Sequence, residues 1–145
     1  MDHVLLSVHV IAGIVFVGGS AVATSLFPRY APVAAADGAG ERSAAVAGVL
    51  HRITRGYTAL GLIVPVVGIV LAFVQGRMGE AWVTVSMVLT AVAGVLLATQ
   101  IYPRQREALA TPGDAAKLRT LSMLAGFYNL VWAVIVVLMI VKPGA

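Results

Sequence analysis

The sequence predicts an all-α fold: a polytopic membrane four-helix bundle built from two duplicated helical hairpins, with the N and C termini extracytoplasmic. Three observations predict it. Four long apolar runs occupy most of the 145 residues. Eight of the ten Lys and Arg residues fall in the two regions joining run one to run two and run three to run four. The ends of the first and third runs also carry the same short string.

The runs are roughly Val4 to Phe27, Thr54 to Val74, Ala81 to Tyr102 and Leu121 to Val141, which predicts helices over about 4–27, 51–74, 81–102 and 118–141. At about 1.5 Å per residue each is long enough to cross ~30 Å of hydrocarbon. A chain that is 60% hydrophobic and 11% charged has no room for a soluble domain beside four crossings, so residues 1–145 form one integral membrane domain.

The first run ends in Ala21-Val22-Ala23, which resembles a signal-peptidase site, but the segment ahead of it holds Asp2 and His3 and no Lys or Arg. A signal peptide needs positive charge there, so retention as a helix is expected. The first connecting region carries Arg29, Arg42, Arg52 and Arg55, and the third carries Arg104, Arg106, Lys117 and Arg119; the opposite side has only Arg77 and Lys142. Basic residues in short loops resist translocation, which places the crowded side in the cytoplasm and Met1 and Ala145 on the opposite side. The pI near 10 then points to lipid phosphate rather than to nucleic acid.

Helix 1 closes on Gly19-Ser-Ala-Val-Ala23-Thr24-Ser-Leu26-Phe27-Pro28-Arg29 and helix 3 on Gly94-Val-Leu-Leu-Ala98-Thr99-Gln-Ile101-Tyr102-Pro103-Arg104, with five of the eleven positions identical. A duplicated hairpin explains this better than chance, and parallel helices 1 and 3 would be related by a pseudo-twofold axis along the membrane normal. Gly and Ala four residues apart give a smooth face for a neighbouring helix. The aromatic residue sits at headgroup level, proline ends the helix and arginine reaches phosphate. Helix 2 differs from helix 4: it holds Pro65 near mid-depth, where a proline bends the helix, whereas helix 4 holds Tyr128, Asn129 and Trp132.

With no cysteine, disulfides, thiolate catalysis and Cys-ligated metal sites are excluded. The remaining chemistry points first to His9, about one and a half turns inside the membrane, which the 75-residue offset pairs with Thr84. Ionisable residues at that depth mark functional sites, though a neutral imidazole bonded within the bundle is the plain alternative. His51, at the other end of helix 2, would lie ~20 Å or more from His9 and cannot share a metal with it. If His9 binds haem iron, the soft partner is Met87, or less well placed Met139. His51, Arg52 and Arg55, with Tyr57 one turn deeper, form a basic cluster suited to carboxylates, either porphyrin propionates or anionic lipid. Interfacial anchoring is the commoner role for such arginines. Asn129 needs a partner on another helix or on a ligand and is expected to be the most buried strongly polar side chain. Met1-Asp2-His3 has the nitrogen set of a square-planar copper(II) site, a weak signal from one short string.

His9, Phe27-Pro28-Arg29, the Arg52 to Arg55 entry of helix 2, Asn129 and Lys142-Pro143 together resemble the four-helix bacterial membrane proteins that include the membrane-bound, haem-containing protoporphyrinogen oxidases and the copper-resistance-D-like and uncharacterised integral membrane domains. The resemblance spans nearly the whole chain on short motifs. It implies haem b as cofactor, His9 as ligand or essential residue, a role for Asn129, and oxidation of protoporphyrinogen IX with electrons passed to the respiratory chain. Ser86 stands where that family shows a lysine, and Leu130 where an acidic residue follows the Asn, so it implies haem binding more firmly than catalysis. Two rival expectations stand beside it: a non-catalytic homo-oligomer or subunit of a larger membrane complex, and copper handling through His3 or His9.

Overall fold

In a computed structural model, which describes residues 1–33 and 42–145, the four runs form four long helices. These are α1 (Asp2–Tyr30), α2 (Ala44–Val74), α3 (Ala81–Ala110) and α4 (Ala115–Val141), each long and apolar enough to cross a membrane. No strand occurs among the described residues. The surface fits that reading: Ile14, Phe73, Met123 and Ile140 each leave 70% or more of their area exposed, which water would penalise and lipid would not.

The helices extend past the apolar runs at their basic ends. Pro28 and Pro103, expected as terminators, lie inside helices. Proline forfeits one hydrogen bond to the carbonyl four residues back, and both sites absorb that loss. Pro28 comes so late that α1 closes within one turn, where the Arg42 guanidinium donates to the Pro28 and Ala31 carbonyls at 3.1 and 2.8 Å. Pro103 follows a widened turn at Leu97–Ile101, so the displaced carbonyl of Thr99 already lies in a distorted segment. Beyond it the chain stays helical because Arg104 to Ala110 are mostly good helix formers.

Ser43 and Asp114 start α2 and α4 as N-caps, their side-chain oxygens accepting the backbone N–H of Val46 and Ala116. Between α2 and α3 the chain reverses at Gly76, whose φ of +67° favours glycine. Lys142 lies 5.8 Å from the Trp82 ring centre, which sets the end of α4 beside the start of α3.

Each hairpin is antiparallel, and α1 also packs along α4. The core runs from Phe27, Ala31, Ala47, Leu118 and Leu121 at the basic end through Leu97 and Ala93 to Tyr128, Val131 and Ile135. Polar pairs stitch α1 to α4: the Ser20 and Tyr128 hydroxyls lie 2.8 Å apart, and Asn129 donates its amide to Ser25 at 2.7 Å. The α2–α3 seam is closed only near the basic end, and the remainder of α2 touches α3 sparsely.

Candidate functional site: a cavity open between α2 and α3

Three helices depart from regular α geometry, and the departures converge. In α1 the turn Gly13–Val17 is widened. In α2 regular hydrogen bonding lapses at Gly61 and Leu62, because Pro65 has no N–H to offer the Gly61 carbonyl. In α3 the widened turn is Leu97–Ile101. All three segments border one cavity of about 660 Å³, which all four helices line. Widened turns recur at functional sites because they re-aim side chains that a regular helix would stack in line.

α1 contributes Phe16, Val17 and Ser20 to the wall, and α4 contributes Tyr128 and Trp132. α2 supplies Tyr57, Thr58 and the Gly61–Val66 stretch apart from Ile63; α3 supplies Met87, Thr90, Gly94 and Ala98 among others. The opening faces outward between α2 and α3, where lining residues Leu62, Val66 and Val95 are 57–70% exposed. Among the described residues, no Lys, Arg, Asp, Glu or His lines it.

The polar groups of this wall are mostly committed. Thr58, Thr90 and Thr99 donate their hydroxyl protons to carbonyls one turn back, and Ser20 donates to the Val17 carbonyl at 3.0 Å. With the Ser20 proton so used, Tyr128 is the donor in the Ser20–Tyr128 pair. Two donors remain. Tyr57 makes no side-chain hydrogen bond among the described residues; its ring stands edge-on to Phe16 at 5.6 Å, with its hydroxyl pressed on Gly19 so closely that a methyl group there would overlap it. The Trp132 indole Nε1 is buried beside the Tyr128 hydroxyl without reaching good hydrogen-bond geometry, its ring edge-on to Tyr128 at 6.3 Å.

The residues singled out from sequence do not gather at one site. Tyr57 and Met87 are in the cavity wall. His9 is not; half-buried, it packs on Gly68 of α2, with its Nδ1 bonded to nothing. His51 lies near the other end of α2, about 25 Å from Gly68 by helical rise. There the basic cluster is divided: His51 turns inward, its Nδ1 3.1 Å from the Gln105 Oε1 and its ring stacked on Tyr102 at 5.0 Å, while Arg52 and Arg55 point outward, exposed. Helical periodicity is the reason, since positions 51 and 54 share the packed face whereas 52 and 55 project from the other.

Asn129 joins α4 to α1 and does not line the cavity. The most buried strongly polar side chain is Gln105, fully covered, because α3 stays helical past Pro103 and carries it back over the core. His3 is exposed within the first turn of α1, and among the described residues no three His, Cys, Asp or Glu side chains gather as a metal site.

No family model, no curated protein and no solved structure matches this chain.

Sequence reasoning passed over Phe16, Ser20, Thr90 and Trp132 as site residues. One signal was present: the 75-residue offset pairs Tyr57 with Trp132, two aromatic donors at matching positions of the second and fourth helices.

Proposed function

We propose that this is a multi-pass protein of a bacterial inner membrane, its basic loops in the cytoplasm and its termini outside. In this reading it takes a flat, largely apolar ring molecule from the bilayer into the cavity between α2 and α3. The observation that carries the proposal is the convergence of three helix irregularities on a 660 Å³ space with an apolar, aromatic lining and an outward opening. Cavities of roughly 300–1,000 Å³ lined by apolar and aromatic side chains with a few polar groups are the usual form of small-molecule sites. The absence of charge from the wall favours an uncharged occupant, since a charge at that depth would be unpaired.

The test is to purify the protein in mild detergent, extract it with organic solvent and identify the small molecules by mass spectrometry. A ring compound at about one per chain, missing from Gly94→Leu, is expected. Phospholipid alone in both preparations contradicts the reading.

Haem b is the second reading, favoured by the buried and unpartnered His9 Nδ1. The donor set does not fit haem in this arrangement: Met87 is the one soft ligand in the wall, His9 stands off it, and Arg52 and Arg55 point away from where propionates would lie. A Soret band in purified protein that disappears in His9→Ala and persists in His51→Ala would restore this reading; a colourless preparation after growth with ample haem removes it. Copper handling would require the first turn of α1 to unwind around His3, because a square-planar site uses amide nitrogens held there in a helix.

A further inference from the structure

We infer that the cavity's occupant is a quinone-type ring, an uncharged planar ring bearing two carbonyl acceptors, and that Tyr57 and Trp132 are the donors that recognise it. The inference rests on the cavity being a ligand site and adds what the ligand must present.

Every hydroxyl of Ser20, Thr58, Thr90, Thr99 and Tyr128 is already spent as a donor within the protein. The wall's uncommitted donors are the Tyr57 hydroxyl and the Trp132 indole N–H. An indole N–H only donates, so its partner must be an acceptor. Left unmade in an apolar interior, such a bond is costly. Water is a poor candidate where lipid meets the opening, and a charged acceptor would find no cation in the wall. A carbonyl oxygen on an apolar ring meets both conditions, and binding it requires the indole, whose Nε1 is covered by its neighbours, to turn its N–H toward the cavity.

The placement of the donors supports two acceptors rather than one. Tyr57 stands on α2 and Trp132 on α4, at positions that correspond under the 75-residue offset. A ring with carbonyls at opposite edges offers one acceptor to each helix. Phe16, Tyr57, Tyr128 and Trp132 supply aromatic surface in the same wall for stacking or edge contact with a flat ring.

The test compares two probes of similar shape on purified protein in lipid nanodiscs: menadione, which carries two ring carbonyls, and 2-methylnaphthalene, which carries none. Binding is measured by equilibrium dialysis, and the two indole N–H resonances are followed by NMR, with Trp82 as internal control. Both probes are expected to bind at one saturable site. Menadione should shift the Trp132 resonance and leave that of Trp82 in place, while the hydrocarbon shifts neither through hydrogen bonding. Trp132→Phe and Tyr57→Phe should each weaken menadione about threefold to tenfold, the value of one hydrogen bond, and change 2-methylnaphthalene less than twofold. If both probes bind but neither variant separates them, the donor assignment is overturned and the cavity stands. If neither probe binds, the cavity reading fails with it.

Discussion

The two seams where the hairpins meet are built oppositely. Between α1 and α4, Ser20 bonds to Tyr128 and Asn129 to Ser25, and the helices lie together. Between α2 and α3, His51 bonds to Gln105 and stacks on Tyr102 near the basic end, and beyond that level the seam opens into the cavity. Lipid tails are as apolar as leucine, so burial alone gives transmembrane helices little reason to associate, and small residues and polar pairs decide which seams close. The α1–α4 seam is tied by two polar pairs, Ser20–Tyr128 and Ser25–Asn129. The α2–α3 seam has Pro65 beside its open part, and its threonines bond to their own helices.

The two glycines of the repeated string show the same contrast and give the largest expected effect. A methyl group at Gly19 would overlap the Tyr57 side chain, whereas one at Gly94 meets nothing within 4 Å. Gly19→Ala should therefore push the Tyr57 ring toward the cavity and cost up to about 1–3 kcal/mol by overpacking. Gly94→Ala should be neutral or add up to about 1 kcal/mol through helix propensity. Denaturation in detergent micelles measures both, and equal losses would break the distinction between the glycines.

Opening the closed seam comes next. Tyr128→Phe removes the bond to Ser20 without removing the ring and should cost between about 0.5 and 2 kcal/mol, the range for hydrogen bonds between membrane helices. A larger loss would mean that this seam depends on more than its polar pairs. At the closed end of the other seam, Gln105→Leu leaves His51 without its partner but also removes an amide nitrogen buried without one. These effects oppose each other, and the expected net change is within about 1 kcal/mol.

The smallest effect concerns pH. Lys117 bonds to Glu107 at 2.8 Å at the basic end and holds the carboxyl below its ordinary value of 4.5, and the lysine correspondingly above 10.5. With a lowered carboxyl pKa the pair's contribution is present above pH 4.5 and is lost as pH falls through the lowered value. With a raised lysine pKa the contribution is present below 10.5 and is lost as pH rises through the raised value. Both side chains are more than half exposed, so solvent screens the pair and Glu107→Gln should leave the melting curve unchanged between those limits.

The four helices were legible because long apolar runs have few alternatives to crossing a bilayer. The helix ends were not, since Pro28 and Pro103 read as terminators until the Arg42 cap and the widened turn at Leu97–Ile101 show how each is absorbed. Facing was the hardest property to read. In a soluble helix the apolar stripe marks the core, but a membrane helix is apolar toward lipid and toward its neighbours alike, so periodicity does not separate the inward His51 from the outward Arg52. The cavity was hidden for the same reason. Its cause, Pro65, was visible in the sequence; its partners, the two widened turns, have no comparable mark at Gly13–Val17.

The most direct test of the central claim, that the open seam is a binding site, is equilibrium dialysis of 2-methylnaphthalene against wild type and Gly94→Leu, whose new side chain would occupy the cavity beside a backbone with nothing else within 4 Å. One saturable site in the wild type, absent from a Gly94→Leu protein that melts at the same temperature, is the predicted result. Equal binding to both proteins would contradict it.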